Sequence, residues 1–356
     1  MIQKIWFSLV CGYIKFGLFF YSKNISVKGI KNIPKKGAIV FAVNHPNGLV
    51  DPLYVTTTNR RQNHFLVRAA SFKNPIVKKI LESLYLMPIY RIRDGIQQLA
   101  NNQEIFEKCF KILKKEETLM IFPEGSHNKK RTIRPLSKGF TRIVFGALDK
   151  YKNLEVIVIP VGISYQHPSH FPSKVCIHYG QPIHTRAIYE KNTPAKSINI
   201  LKAAVTEQLK KLSVHIPDDE NYEAVLQQLN DAQVDFTKVD TINEMIKSGN
   251  IPSRKKAKKN FLKPLLYLII LNNIIPFLVW KKIAKKIDEI EFIDTFRFSI
   301  NLGMFPFFYA FKTWLIASFF GVLVGFFYLT ISALLILIYV KCSPTNSKAH
   351  KNLAEL

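Results

Sequence analysis

The chain has 356 residues, enough for one domain of ordinary size with appendages. Its 51 Lys and Arg against 25 Asp and Glu leave a net charge of +26, so the surfaces it meets are anionic: nucleic acid, anionic lipid or a phosphorylated substrate. Four cysteines (Cys11, Cys109, Cys176, Cys342) with no CxxC pair exclude a zinc site and a disulfide framework.

Residues 2–21, IQKIWFSLVCGYIKFGLFFY, are apolar and aromatic but broken by Lys4 and Lys15, with no small-residue cleavage site. They are expected to lie as a helix in the headgroup layer, neither a signal peptide nor a clean span; a core helix of a soluble domain is the alternative. A KGIKNIPKKG connector leads to residues 38–53, AIVFAVNHPNGLVDPL. This stretch reads as an apolar strand, a polar turn and a helix start. In open α/β sheets ligands gather at the carboxyl ends of strands, which is where Asn44 and His45 fall. Asp51 comes six residues after His45, so the two side chains meet only if the chain curls back. Pro46 and Asn47-Gly48 supply the turn chemistry for that. Paired, Asp51 would orient the imidazole and stabilise its protonated form; unpaired, the two are a solvated histidine beside a helix-start aspartate.

Strands and helices alternate from there. NHFLVRAASF (63–72) reads as strand and turn, and NPIVKKILESLYL as a helix opened by Asn74-Pro75. PIYRIRDG follows, then a periodic helix over about residues 95–115. The strand LMIFP runs into Pro123-Glu124-Gly125 and a polar loop, and a helix is expected over about residues 137–150. VIVIPVGISY and KVCIHYGQPI supply two more strands. The pattern predicts an α/β fold, a mixed sheet flanked by helices. A guanidinium suits phosphate because its donors form a fixed fork that is always charged; for Arg91 and Arg93, two residues apart, a phosphate contact and a surface ion pair are the alternatives. Glu124 is a poor phosphate ligand, so it would hold its loop or bind a hydroxyl, with Gly125 allowing close backbone approach. There is no GxSxG elbow, P-loop or GxGxxG. His167 and His170, in HPSH, lack further metal ligands and are expected to face solvent.

Beyond Gly180-Gln181-Pro182 lies an amphipathic helix (194–213), then a polar, helix-prone stretch (217–250) read as a helical insertion, lid or solvated spacer. Between Arg254 and Lys286 stand ten Lys and Arg and no acid, a cluster that marks the cytoplasmic side of a membrane and attracts anionic lipid. Residues 264–280 are apolar but carry Asn272-Asn273 and Pro276, which suits a re-entrant or interfacial segment. Residues 302–340 hold one charge, Lys312, and make either a hairpin turning near Gly321–Gly325 or one long span from about Thr313. The hairpin is favoured although it buries Lys312. These segments favour a membrane over nucleic acid as the partner.

Taken together, the NH…DP turn and the FPEG box resemble the glycerolipid acyltransferases of the PlsC type. Those enzymes move a fatty acyl group from a thioester to a hydroxyl of glycerol phosphate or lysophosphatidate. Pro88-Ile89-Tyr90-Arg91 looks like the family's second motif and Ile159-Pro160-Val161-Gly162 like its fourth, so the resemblance covers roughly residues 25–190. Five residues rather than the family's usual four separate His45 from Asp51, and Ser126-His127 stands where Thr-Arg is common. Both departures resemble a subgroup that includes fungal glycerol-3-phosphate and dihydroxyacetone-phosphate acyltransferases.

The resemblance implies the glycerolipid acyltransferase fold, with His45 as base and Asp51 as its orienting partner. It implies that Asn44, Arg91, Glu124, Gly125, Lys129 and Arg131 bind substrate, the basic run after FPEG replacing the missing arginine. The donor would be acyl-CoA or an acyl-carrier protein and the acceptor a phosphorylated glycerol, lysophosphatidate first, with neither cofactor nor metal. Glycerol 3-phosphate, an amino-acid or other lysolipid, and a non-catalytic lipid-binding scaffold are the alternatives. The expected layout is an interfacial helix (1–24), acyltransferase domain (25–215), helical polar insertion and basic linker (216–260), membrane region (261–342) and tail (343–356). The site would face the cytoplasm, from the inner membrane in a bacterium.

Overall fold

A computed structural model describes residues 2–90, 97, 100 and 102–346. In chain order its elements are α1 (Ile2–Tyr21), β1 (Asn24–Lys28), β2 (Ala38–Val43), α2 (Val50–Thr58), β3 (Asn63–Arg68), α3 (Pro75–Ser83) and β4 (Leu86–Ile89). They continue with α4 (Asn102–Lys114), β5 (Thr118–Ile121), α5 (Gly139–Lys150), β6 (Val156–Tyr165), β7 (Lys174–Tyr179), β8 (Ile183–His184), α6 (Thr185–Glu190) and α7 (Pro194–Leu212). Last come α8 (Tyr222–Asp231), α9 (Val239–Ser248), α10 (Lys263–Asn272), α11 (Ile274–Ala284), α12 (Ile293–Phe320) and α13 (Val322–Cys342).

The strands form one mixed sheet in the order β1-β7-β6-β2-β5-β3-β4, with β8 also paired to β6. Every residue of β2 is buried, as its unbroken apolar run requires of a strand covered on both faces. Ala38, Val40 and Ala42 point into a core with α4, α5 and α7, among them Cys109, Leu113, Val144 and Leu201. Ile39, Phe41 and Val43 point the other way, onto Leu18 of α1, Val50 and Val55 of α2, and Phe298 of α12. Helices α1 and α12 are thus packed into the core of the sheet domain. Because β5 and β6 both run parallel to β2, the loops after β2 and β5 open on the same side of the sheet. There β6 runs on to Tyr165, past the Val43–Val161 pair.

The polar stretch after α7 has a small core of its own. Val214, Ile216, Tyr222, Leu229, Phe236, Val239 and Ile242 pack together with Cys176 of β7, so the segment is docked on the domain and the spacer reading is set aside.

Among the described residues three helices, α1, α12 and α13, are long and apolar enough to cross a membrane; α1, expected at the interface, is among them. Helices α10 and α11 meet at a 96° bend at Asn273, as a re-entrant or broken segment would. The long apolar stretch is a hairpin. Gly321, at a φ of 93°, separates α12 from α13, and a Cβ on Gly325 would stand 2.9 Å from the Ala317 Cβ. Lys312 is accommodated by donating to the Asn272 carbonyl oxygen (3.0 Å) and Oδ1 (2.6 Å) where α10 ends. Its ammonium also lies over the rings of Phe308 and Tyr328, pairings of the kind an intramembrane charge needs.

Candidate active site

The bend after β2 closes as its turn residues allow. Gly48 sits at a φ of 39°, in the left-handed region. That places Asp51, in the first turn of α2 and 0% exposed, against His45, whose Nδ1 lies 2.8 Å from Asp51 Oδ2. The backbone N–H of Asn47 donates to the same oxygen at 2.7 Å, and the Tyr165 hydroxyl donates to Oδ1 at 2.6 Å. With a carboxylate on its Nδ1, the His45 ring carries its proton there and presents a bare Nε2. Burial and the neighbouring Asp51 push the Tyr165 hydroxyl well above its ordinary pKa, so it remains a neutral donor.

Asn44 acts as an extension of the sheet. Its side-chain amide donates to the Ile163 carbonyl (3.1 Å) and accepts from the Ile163 N–H (2.6 Å), a peptide-like pairing that fixes where β2 ends. The second loop locks on next to it: the N–H of Asn128 donates to the His45 carbonyl (3.0 Å), and the His45 ring stacks on Phe122 at 4.0 Å.

Glu124 faces the cleft but is claimed by a residue that the motif does not contain. Arg134 Nε donates to Glu124 Oε2 at 2.7 Å, and its other nitrogens donate to Ser126 Oγ and the Ser126 carbonyl. Burial raises the Glu124 carboxyl and Arg134 pulls it back down. Glu124 therefore anchors the loop, with Gly125 beside it at a φ of 75°.

Arg131, expected to contact substrate, lines the cleft and also has a structural task. Its guanidinium donates to the carbonyl oxygens of Tyr165 and Gln166 (both 2.9 Å) and stacks 3.6 Å over Phe236, tying the β6 end to the docked helical segment. It is buried, which pulls its pKa down to about 10, and two carbonyls take up its fork. Lys130 is exposed and paired with Asp218 at 2.7 Å. Lys129 stays at the cleft, where burial lowers its pKa to about 8 against the pull of Glu291. Arg91, expected to hold phosphate, lies outside the described residues. His167 and His170, expected to face solvent, are half-buried and stacked at 5.0 Å, and burial pushes both down to about 4.

Two cavities flank this centre. A narrow cleft of about 30 Å³ is lined by His45, Glu124, Lys129, Arg131 and Tyr165. A larger one of about 370 Å³ lies between α1, α12 and α13, lined by Phe16, Tyr21, Phe298, Phe305 and Leu329. Tyr21 connects them: its hydroxyl donates to Asp294 Oδ1, and Asp294 Oδ2 accepts from Asn47 Nδ2 at 3.0 Å. Tyr165, Arg134 and Asp294 escaped the sequence reading, and Asn47 entered it for its turn chemistry alone, not for its contacts with Asp51 and Asp294.

An imidazole held by a buried carboxylate, opening on a cationic cleft, can take a proton from a hydroxyl. If it does, His45→Ala and Asp51→Asn each lower kcat by about 10²–10⁴, while the protein stays in the membrane with its thermal midpoint near that of the unaltered chain. Near-normal turnover in purified His45→Ala protein would remove His45 from the chemistry.

Residues 24–164 match the Acyltransferase family model. Glycerol-3-phosphate O-acyltransferase 2 of Saccharomyces cerevisiae is 28% identical over 121 residues, 33% of this chain and 16% of that protein. The 1-acyl-sn-glycerol-3-phosphate acyltransferase of Borreliella burgdorferi is 27% identical over 136 residues, 38% of this chain and 52% of that protein. The crystal structure of the 1-acyl-sn-glycerophosphate acyltransferase PlsC from Thermotoga maritima aligns over 61% of this chain and 83% of its own, with 18% identity and a TM-score of 0.44. The matches to the two curated relatives thus span about half of the relative's length or less.

Proposed function

We propose that this chain, which belongs to the Acyltransferase family through residues 24–164, transfers a fatty acyl group from an acyl thioester to the free hydroxyl of 1-acylglycerol 3-phosphate. The observation that carries the reading is the His45–Asp51 pair at 2.8 Å, standing where the ends of β2 and β5 open together on a basic cleft.

His45 Nε2 takes the acceptor hydroxyl's proton as that oxygen forms its bond to the thioester carbonyl carbon. The tetrahedral intermediate then collapses, the carbon–sulfur bond breaks, and the leaving thiolate receives the proton from His45. Asp51 keeps the ring in the correct tautomer and offsets its positive charge between the two transfers. Lys129 supplies a cation to the acceptor phosphate, joined by Arg91. The apolar cavity between the membrane helices gives a fatty chain room outside water. The basic run between Arg254 and Lys286 supports a cytoplasmic orientation on an anionic membrane surface, in a bacterium the inner membrane, with acyl-CoA or an acyl-carrier protein as donor.

Glycerol 3-phosphate is a second acceptor reading, favoured by the fungal relative and by the five-residue spacer. Purified protein given labelled acyl thioester and a panel of glycerol 3-phosphate, 1-acylglycerol 3-phosphate and lyso-aminolipids is expected to label the diacyl phosphate product. Label only in monoacylglycerol phosphate selects the second reading. No transfer to any acceptor, from protein that binds vesicles, leaves a lipid-binding scaffold.

Lys129 sets a pH signature. An ammonium with a pKa of about 8 is charged below that pH and neutral above it, so kcat/KM for the phosphorylated acceptor falls as pH rises through about 8. Lys129→Arg, charged throughout, is expected to flatten that limb; an unchanged profile in the variant would assign the phosphate contact elsewhere.

A further inference from the structure

The bend that holds His45 and Asp51 does not stand by itself. Asn47, 0% exposed, donates in two directions: its backbone N–H to Asp51 Oδ2 at 2.7 Å and its side-chain Nδ2 to Asp294 Oδ2 at 3.0 Å. One residue on, a Cβ added to Gly48 would stand 2.7 Å from Thr295 Oγ1 and 3.1 Å from the Glu291 carbonyl oxygen. The next N–H, that of Leu49, donates to Thr295 Oγ1 at 3.0 Å. Asp294, 3% exposed, is itself held from both sides. The Tyr21 hydroxyl of α1 donates to its Oδ1, and Arg297 Nη1 lies 3.7 Å from the same atom. His127, in the loop after β5, meets Glu289 at 3.0 Å just before α12 begins.

The contacts on the bend itself come from residues 291–295, at and just before the start of α12, far beyond the stretch that matches the family model. About 20 helical residues cross the apolar layer of a bilayer, and α12 has 28, so its first two turns are free to reach the acyltransferase domain. The five residues between His45 and Asp51 include Asn47, Gly48 and Leu49, which meet residues 291–295.

We propose that Asp294 and Thr295 are positioning residues of the acyl-transfer site. The C-terminal membrane hairpin supplies them, and they set the curvature of the bend and hence the line from Asp51 to His45 Nε2. The inference rests on His45 being the base. Neither residue meets substrate; each acts through Asn47 and Leu49. A misplaced base is costly, because about 1 Å of displacement can remove on the order of 100-fold in rate.

The experiment compares full-length Asp294→Asn, Thr295→Val and Thr295→Ser proteins in detergent with the unaltered chain. Asp294→Asn and Thr295→Val are expected to lower kcat by about 10–100-fold, with KM for donor and acceptor within about twofold of normal. Thr295→Ser, which keeps the acceptor oxygen, is expected to restore kcat. Normal kcat in well-folded Asp294→Asn and Thr295→Val proteins overturns the proposal, and so does a rise confined to KM. Should Asp294→Asn fail to fold, the Thr295 pair decides by the same criteria. An unaltered chain that transfers no acyl group would fail the enzymatic reading instead. Hydrogen exchange over residues 44–51 then tests the link alone: faster exchange in Thr295→Val with Thr295→Ser normal supports it, and equal exchange in all three overturns it.

Discussion

The structure depends on one buried charge. Asp51 has no exposed surface, and a carboxylate in that position is tolerated only when its oxygens are met by donors. Three donors meet them, and each comes from a different place: His45 at the end of β2, the Asn47 N–H within the bend, and the Tyr165 hydroxyl at the end of β6. Burying the charge and assembling the site are therefore one event. A chain that misplaced β6 or straightened the bend would leave an unpaired carboxylate in the core, so folding itself enforces the alignment of His45.

The second constraint is the membrane. Helices from both ends of the chain close over one face of the sheet, and the polar contacts among them converge on the same bend: Tyr21 of α1 and Asp294 of α12 share a hydrogen bond that continues to Asn47. Phe298, one turn further along α12, packs in the core with Val43 and Val50, while Phe305 lines the apolar cavity. A single helix thus carries a buried carboxylate to the His45–Asp51 bend and a wall to the lipid-sized cavity.

The sequence disclosed the scaffold where the signals were local. The unbroken apolar runs of β2, β5 and β6 predicted buried strands, and Pro46-Asn47-Gly48 predicted that His45 and Asp51 could meet. The glycine at 321 similarly marked the hairpin. What stayed hidden came from far along the chain. Tyr165 is merely the last residue of a strand, and Asp294 stands in IEFIDTFRF, where nothing distinguishes it from a helix-start acid. Arg131 stands in a basic run that looks like a phosphate cradle; only the fold reveals that two carbonyls and Phe236 take up its guanidinium. Arg134, three residues on, makes the contact with Glu124 instead. Spacing along the chain gives the turn but not the partners that the turn is folded against.

The central claim, that Asp51 fixes His45 with a proton on Nδ1 and a basic Nε2, is read most directly by ¹⁵N NMR of the His45 ring in detergent-solubilised protein. The account predicts that the neutral ring carries its proton on Nδ1. A neutral ring carrying its proton on Nε2 would contradict it.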